Sequence, residues 1–520
     1  MYAAKFALGA TGRPTVIDTG ATAVTGPAIN GGTYNATYSA LYVTTEAVDA
    51  SDTNIGGFRY RKDGALRVSD ATAGLPANTH VNQGVALTTN GQACYTTTVN
   101  TTVAGSYFNV NGVALDVDSI IYANLLSFAL EFADLGAGVV STVEAIGAAT
   151  PTFTRATTAT TVLSTGLIGA VASGDPRSYY DPTTLEYLGY LAEGARTNLC
   201  LQSEDFSNAA WTNAFSTDDA DTAVSPDGNT TADTITATAA NGYIFPSDTG
   251  MFAAAGGGTY TYSVFVKDID AGSFSLLLGA TANYNATFNL STLVISGLSA
   301  NTTATIVPYG NGWFRATLTA AAVANAVYAE VQIGRLTDGT SVYIWGGQLE
   351  LGTFASSYIP TTTLAVARNA DVLTYPTTWL NAAVGTLLAS ARTSQLTAAI
   401  RIIFAIDDGT ANELVQLQTS ASDQPQLQVT DGGVSQATVG ATALTANTSF
   451  KVAGAYVAND FAECMNGGTV NTDAAGTLPT ITTVGIGCTS AGGSQWFGSI
   501  ARVTYYGSRL ANAELQAITT

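Results

Sequence analysis

The stretch Gly312-Trp-Phe-Arg-Ala-Thr-Leu-Thr319 places apolar side chains at 314, 316 and 318 and polar ones at 315, 317 and 319. A period of two is the signature of a half-buried β-strand, with one face on a core and the other in water. The same alternation recurs on either side, in Tyr260-Thr-Tyr-Ser-Val-Phe-Val266, Phe274-Ser-Leu-Leu-Leu278, Val327-Tyr-Ala-Glu-Val-Gln-Ile333 and Ser341-Val-Tyr-Ile-Trp-Gly346. Strands of this length, joined by polar connections, predict a β-sandwich of jelly-roll type. Trp313 and Trp345 lie within these alternating strands and are read as core residues.

Composition extends that reading to the whole chain, and the fold class is all-β. Charged residues are 11% of 520, against about 25% in ordinary globular proteins, and Gly contributes 53 positions. Thr, Ser, Asn and Ala carry the surface; Thr favours strands, while Gly and Asn favour turns. A length of 520 residues exceeds one core and predicts several domains. The formal net charge of −20 argues against a nucleic-acid surface, which needs clustered Lys and Arg. One His, His80, and four scattered cysteines at 94, 200, 464 and 488 supply neither a zinc site nor a disulfide framework. The most apolar run, Ile120 to Ala133, is too short to span a membrane and no signal peptide opens the chain. The expectation is a protein made in a host cytoplasm, without membrane insertion.

Arginine, carboxylate and aromatic residues concentrate in Pro176-Arg-Ser-Tyr-Tyr-Asp-Pro182, Leu188-Gly-Tyr-Leu-Ala-Glu-Gly-Ala-Arg-Thr-Asn-Leu199 and Ser203-Glu-Asp-Phe-Ser-Asn-Ala-Ala-Trp211. Glu193 lies three residues from Arg196, with Arg177 nearby. In a chain so poor in charge, these three read as a structural clasp that seats the first sandwich, rather than as an active site. Two Thr-rich linkers bracket the region. One contains Arg155 and the other, Ile359 to Asp371, contains Arg368. Domain boundaries are placed beside them, giving 1–150, 151–375 and 376–520.

Residues 1–150 read as short β-pieces between Gly-rich turns. Gly84-Val-Ala-Leu87 and Gly112-Val-Ala-Leu115 echo each other 28 positions apart. Asp118 to Leu135 can also be written as a short helix with Ile121, Leu125, Phe128 and Phe132 on one face. Beyond the second linker, Gly385-Thr-Leu-Leu-Ala-Ser390, Ala399 to Ile406, Phe450 to Val457 and Gly498 to Tyr506 predict a further sandwich. Arg509-Leu-Ala-Asn-Ala-Glu-Leu515 reads as a closing helical turn.

The pieces Arg155-Ala-Thr, Pro176-Arg, Leu188 to Leu199, Trp211, Tyr343-Ile-Trp-Gly-Gly-Gln-Leu-Glu350 and Ser357-Tyr-Ile-Pro360, in that order, resemble a module of tailed-phage head-fibre and tail-fibre proteins. The run Val162 to Asp175 departs from that pattern. The resemblance implies a jelly roll similar to carbohydrate-binding modules. Residues 383–517, through Ile406-Asp-Asp-Gly409, Asn466-Gly-Gly468 and Gly498-Ser-Ile-Ala-Arg-Val503, resemble a concanavalin-type, laminin-G-like lectin sandwich. The implied protein is a virion fibre or spike on the virion surface, partnered by capsid or tail proteins. It would be a homotrimer that adheres to host-surface or environmental glycans and performs no covalent chemistry. A ligand-free capsid decoration protein and a polysaccharide depolymerase are the alternatives.

Sugar recognition uses aromatic faces near loops, which selects Trp496, Trp379, Trp211, Tyr243 and Tyr284, with Trp496 foremost because it lies between Gly492-Gly-Ser-Gln495 and Phe497-Gly-Ser499. No catalytic residues and no cofactor are expected. Asp218-Asp-Ala-Asp221 with Asp227 could offer Ca²⁺ several oxygens, although the spacing also suits a solvated turn, and Asp407-Asp-Gly409 reads the same way.

Overall fold

A computed structural model describes residues 126–142, 150–246, 258–279, 283–323, 330–440 and 442–520, together with four hairpins nearer the N-terminus. The chain divides into two compact units, residues 1–127 with 506–508, and residues 128–505 with 509–520.

The first unit contains four antiparallel hairpins. Lys5–Leu8 pairs with Pro14–Asp18, Gly57–Tyr60 with Leu66–Ser69, Val85–Leu87 with Ala93–Tyr95, and Phe108–Val110 with Val113–Leu115. Both copies of the Val-Ala-Leu echo are therefore strands. One opens its hairpin and the other closes it, so they are not the same arm of a repeated unit.

The second unit holds two β-sandwiches, and one interrupts the other in sequence. The enclosing sandwich stacks a ten-stranded on a seven-stranded sheet. Its early strands include Thr152–Thr154, Arg177–Tyr180 and Tyr187–Ala192. The chain then leaves through Arg196–Asn198 and builds the inserted sandwich, two six-stranded sheets between Trp211 and Leu351. It returns through Val366–Arg368, antiparallel to Arg196–Asn198, and resumes the enclosing sandwich at Val372–Pro376. The expected division at 150 and 375 thus cuts hydrogen-bonded pairs. Val139 pairs with Arg177 across 150, and Tyr190–Ala192 pairs with Gly498–Ile500 across 375. Pairing between strands this far apart in sequence leaves no local trace, so each Thr-rich segment looked like a linker.

Each sandwich has its own apolar core. Ile235, Val264, Leu276, Leu318 and Ile344 centre the inserted one, while Leu387, Phe404, Val415, Tyr456 and Val484 centre the enclosing one. Trp313 and Trp345 are buried, but on the sheet face opposite the inserted core, where they pack with Phe265, Ile168 and Tyr358 in a separate cluster. The helix expected over Asp118 to Leu135 does not form in the described part: Leu126–Glu131 is a strand of the ten-stranded sheet, and Asp134–Gly136 is another. The helical spacing of Phe128 and Phe132 loses to the edge hydrogen bonds that a neighbouring strand supplies. The C-terminal turn is a helix, Asn512–Thr519, whose Glu514 carboxylate accepts the Ala511 N–H at 2.5 Å.

Candidate functional site

The site is built around the ion-pair cluster where the two sandwiches meet. Arg177, on the strand Arg177–Tyr180, is fully buried. Its guanidinium reaches Glu193 Oε2 at 2.9 Å, bonds Asp371, and donates to the Thr160 carbonyl at 2.8 Å. Arg155 donates to Asp371 Oδ1 at 2.9 Å, and Arg368 bonds Glu193. Asp371 also accepts the Glu193 backbone N–H at 3.1 Å, and Ser357 donates to both oxygens of Glu193, at 2.9 and 2.6 Å. Burial by itself would raise the Glu193 pKa. Arg368, Arg177 and the Ser357 donors outweigh burial and hold the carboxyl well below the usual carboxylate range.

Of the three residues expected to pair, Arg177 and Glu193 form an ion pair, while Arg196 is a correction. Arg196 makes no bond to Glu193. Its guanidinium lies over Phe354 at 4.9 Å and Phe497 at 5.1 Å, with Glu350 at 4.0 Å. Three residues along an extended chain change faces, so proximity in sequence misassigned the partner. Arg368, Arg155 and Asp371 complete the cluster and were missed as members. The available signal was the Arg common to both Thr-rich linkers.

Above this cluster opens a cleft of about 170 Å³ between the inserted sandwich and the Ser394–Gln395, Asn447 and Phe497 region of the enclosing one. One wall is the strand pair Thr302–Pro308 and Trp313–Val323. Ala304 and Ile306 pack against the core, which turns Thr303, Thr305 and Val307 outward to solvent. Register sets Thr303 opposite Thr319, Thr305 opposite Thr317 and Val307 opposite Arg315. A third strand continues the rows, with Thr261 beside Thr319 and Ser263 beside Thr317. The Thr261 and Thr319 hydroxyls are 2.8 Å apart. Tyr179, Tyr309, Phe354 and Phe497 line other parts of the cleft, and Glu193 borders it from below. The result is a ladder of hydroxyls facing amide and aromatic side chains. Such a surface can hydrogen-bond a polyhydroxylated ligand and cover its C–H faces.

The aromatics selected from sequence lie elsewhere. Trp496 is a correction: it is 1% exposed, its indole donates to the Arg392 carbonyl at 3.3 Å, and it belongs to the enclosing core. Trp211 is likewise buried, donating to the Gln202 carbonyl at 3.2 Å. Glycines around Trp496 suggested an exposed loop, but the backbone there folds the ring inward. Trp379 is half-buried against Tyr505, with ring centroids 5.3 Å apart, and Tyr284 packs on the inserted core. Tyr243 is half-buried and pairs with Phe245 at 5.6 Å; alternation with core Ile244 places both rings on the opposite face of their sheet. These five residues are not brought together.

The acidic run is dispersed among hydrogen bonds. Asp218 accepts from Asn213, Asp227 accepts the Asn229 N–H at 3.0 Å, and the Asp221 N–H donates to Asp233 at 2.9 Å. Among the described residues no group of three or more His, Cys, Asp or Glu side chains could hold a metal ion, and no helix is long and apolar enough to cross a membrane.

No family model matches the chain, and no curated protein matches it in sequence. Solved structures similar to it include the CBM40 module of the Ruminococcus gnavus IT-sialidase, at 21% identity and TM-score 0.24, over 27% of this chain and 84% of that one. A pentraxin from Limulus polyphemus is similar at 14% identity and TM-score 0.23, over 27% and 70%. Domain 4 of the arabinanase AbnA from Geobacillus stearothermophilus, solved with arabinotriose, is similar at 10% identity and TM-score 0.24, over 32% and 82%. The similarity to these modules extends over about a third of the chain or less.

Proposed function

We propose that the protein is an adhesin that binds glycans without covalent chemistry, and that the cleft between its sandwiches is the binding site. One observation carries this reading: the hydroxyl ladder of Thr303, Thr305, Thr317 and Thr319 faces tyrosine, amide and phenylalanine side chains across an open cleft. Sugars offer the same mixture of hydroxyls and apolar C–H faces. The carboxylate at the cleft, Glu193, is tied to two arginines and Ser357, which suits a structural anion rather than a general acid. The CBM40 module of the R. gnavus sialidase is a structure solved with sialyllactose, and the arabinanase domain one solved with arabinotriose, which agrees in kind with a saccharide ligand.

The resemblance of Arg155 to Pro360 to a phage fibre module supports the reading of this adhesin as a virion fibre or spike displayed from capsid or tail. A homotrimeric assembly would multiply weak sugar contacts through avidity. Thr305 is exposed on the edge strand of its sheet, so Thr305→Trp fills the cleft without touching either core. Glycan-array binding by the wild type, lost in Thr305→Trp at unchanged thermal stability, is the expected result. Array binding that survives the filled cleft would move the site elsewhere, and release of new reducing ends from host polysaccharide would replace adhesion with depolymerisation.

A further inference from the structure

We infer that the ligand of this cleft is an acidic saccharide, bound through its carboxylate by Arg315. The inference rests on the glycan-binding reading and specifies its ligand class. Arg315 sits on the hydroxyl wall opposite Val307 and is 9% exposed. Its guanidinium lies 5.2 Å from the Phe265 ring. NH1 donates to the Ser356 carbonyl at 2.7 Å and NH2 to Ser263 Oγ at 3.0 Å. Both acceptors are neutral, and Nε has no acceptor. Arg315 forms no ion pair among the described residues, and it lines the cleft. A charge this buried is costly unless a counter-charge reaches it.

The surroundings do not supply one. Beneath the cleft, Arg155, Arg177 and Arg368 are set against two carboxylates, Glu193 and Asp371. The Glu350 carboxylate is taken by the N–H and hydroxyl of Ser356, by Gln348 and by Arg196. Glu204, behind Tyr358, accepts that phenol at 2.9 Å. The joint therefore carries surplus positive charge inside a chain of net charge −20. Most of the acidic surface of the protein would repel an anionic glycan, so a local cationic pocket is where such a ligand can be held. Thr305 and Thr317, adjoining Arg315, are placed to bond hydroxyls flanking the carboxylate.

The test measures binding of the full chain to two acidic probes, an oligogalacturonide and a sialylated lactose, beside the carboxyl-reduced oligogalacturonide and lactose. At least one acidic probe is expected to bind about tenfold or more tightly than its neutral counterpart, because a charge-assisted hydrogen bond contributes about twice a neutral one. Which acidic probe is preferred identifies the source of the carboxylate. Arg315→Gln should bring the paired affinities within about twofold while neutral binding persists, and Arg315→Lys should restore part of the preference. If Arg315→Gln does not fold, the wild-type comparison decides, with Thr305→Trp showing that the signal comes from the cleft. Equal affinity for acidic and neutral probes overturns this inference and leaves glycan adhesion standing. Absence of any Thr305-sensitive binding overturns both.

Discussion

Replacing Asp371 by Asn isolates the ion-pair cluster. The side chain is fully buried, keeps its size on substitution, and loses only its charge and part of its accepting capacity. In the wild type it neutralises Arg155 and Arg177 and accepts the Glu193 N–H. In the variant three buried arginines share the single carboxylate of Glu193. Breaking a buried pair by removing one partner costs about 3–5 kcal/mol. For a cooperative unit of 150–250 residues, each kcal/mol moves the midpoint by about 2–4 °C. A fall of roughly 6–20 °C follows, measured by calorimetry and checked by urea unfolding at unchanged slope. The pH dependence provides a second reading. Glu193 has a folded pKa below its unfolded value near 4.5, so its contribution is complete above pH 4.5 and is lost as pH falls towards the folded value. Acid should therefore destabilise the wild type progressively below pH 4.5. A fall of less than about 2 °C in Asp371→Asn would refute the reasoning, because the cluster would then be a solvated surface network.

Trp496→Ala should cost about 3–5 kcal/mol of stability, as for a large core side chain, whereas a sugar-stacking tryptophan would lose only binding; chemical denaturation separates the two. Glu463 is buried, and its carboxyl is pushed up to about 7 by burial, with the Asn471 amide at 2.9 Å opposing that rise. Because its folded pKa exceeds the unfolded one, stability should decline as pH rises from about 4.5 to 7, and Glu463→Gln should flatten that decline in melting curves. Cys200, Cys464 and Cys488 are free and buried, with burial pushing Cys488 up to about 12. In a Cys94→Ser background, native protein should therefore react with no equivalents of an aromatic disulfide reagent and denatured protein with three.

The amino-acid sequence by itself determined the fold class, because a period of two and a Thr- and Gly-rich composition are local properties that a strand needs wherever it pairs. It also marked Arg177 and Glu193 as partners and Trp313 and Trp345 as buried. What it could not contain was which strands meet. Thr152–Thr154 and Val372–Thr374 are separated by an entire sandwich, and only their hydrogen bonds show that one sandwich interrupts the other. The same holds for Arg368, which displaced Arg196 from the clasp, and for Trp496, which a Gly-rich setting made look exposed. The cleft is the clearest case. Thr305 and Thr317 are ordinary strand threonines until register sets them side by side, and Arg315 becomes a buried cation without an ion-pair partner among the described residues only when the chain returns to cover it. Local propensity fixes elements, whereas long-range pairing decides which charges are left to bind something else.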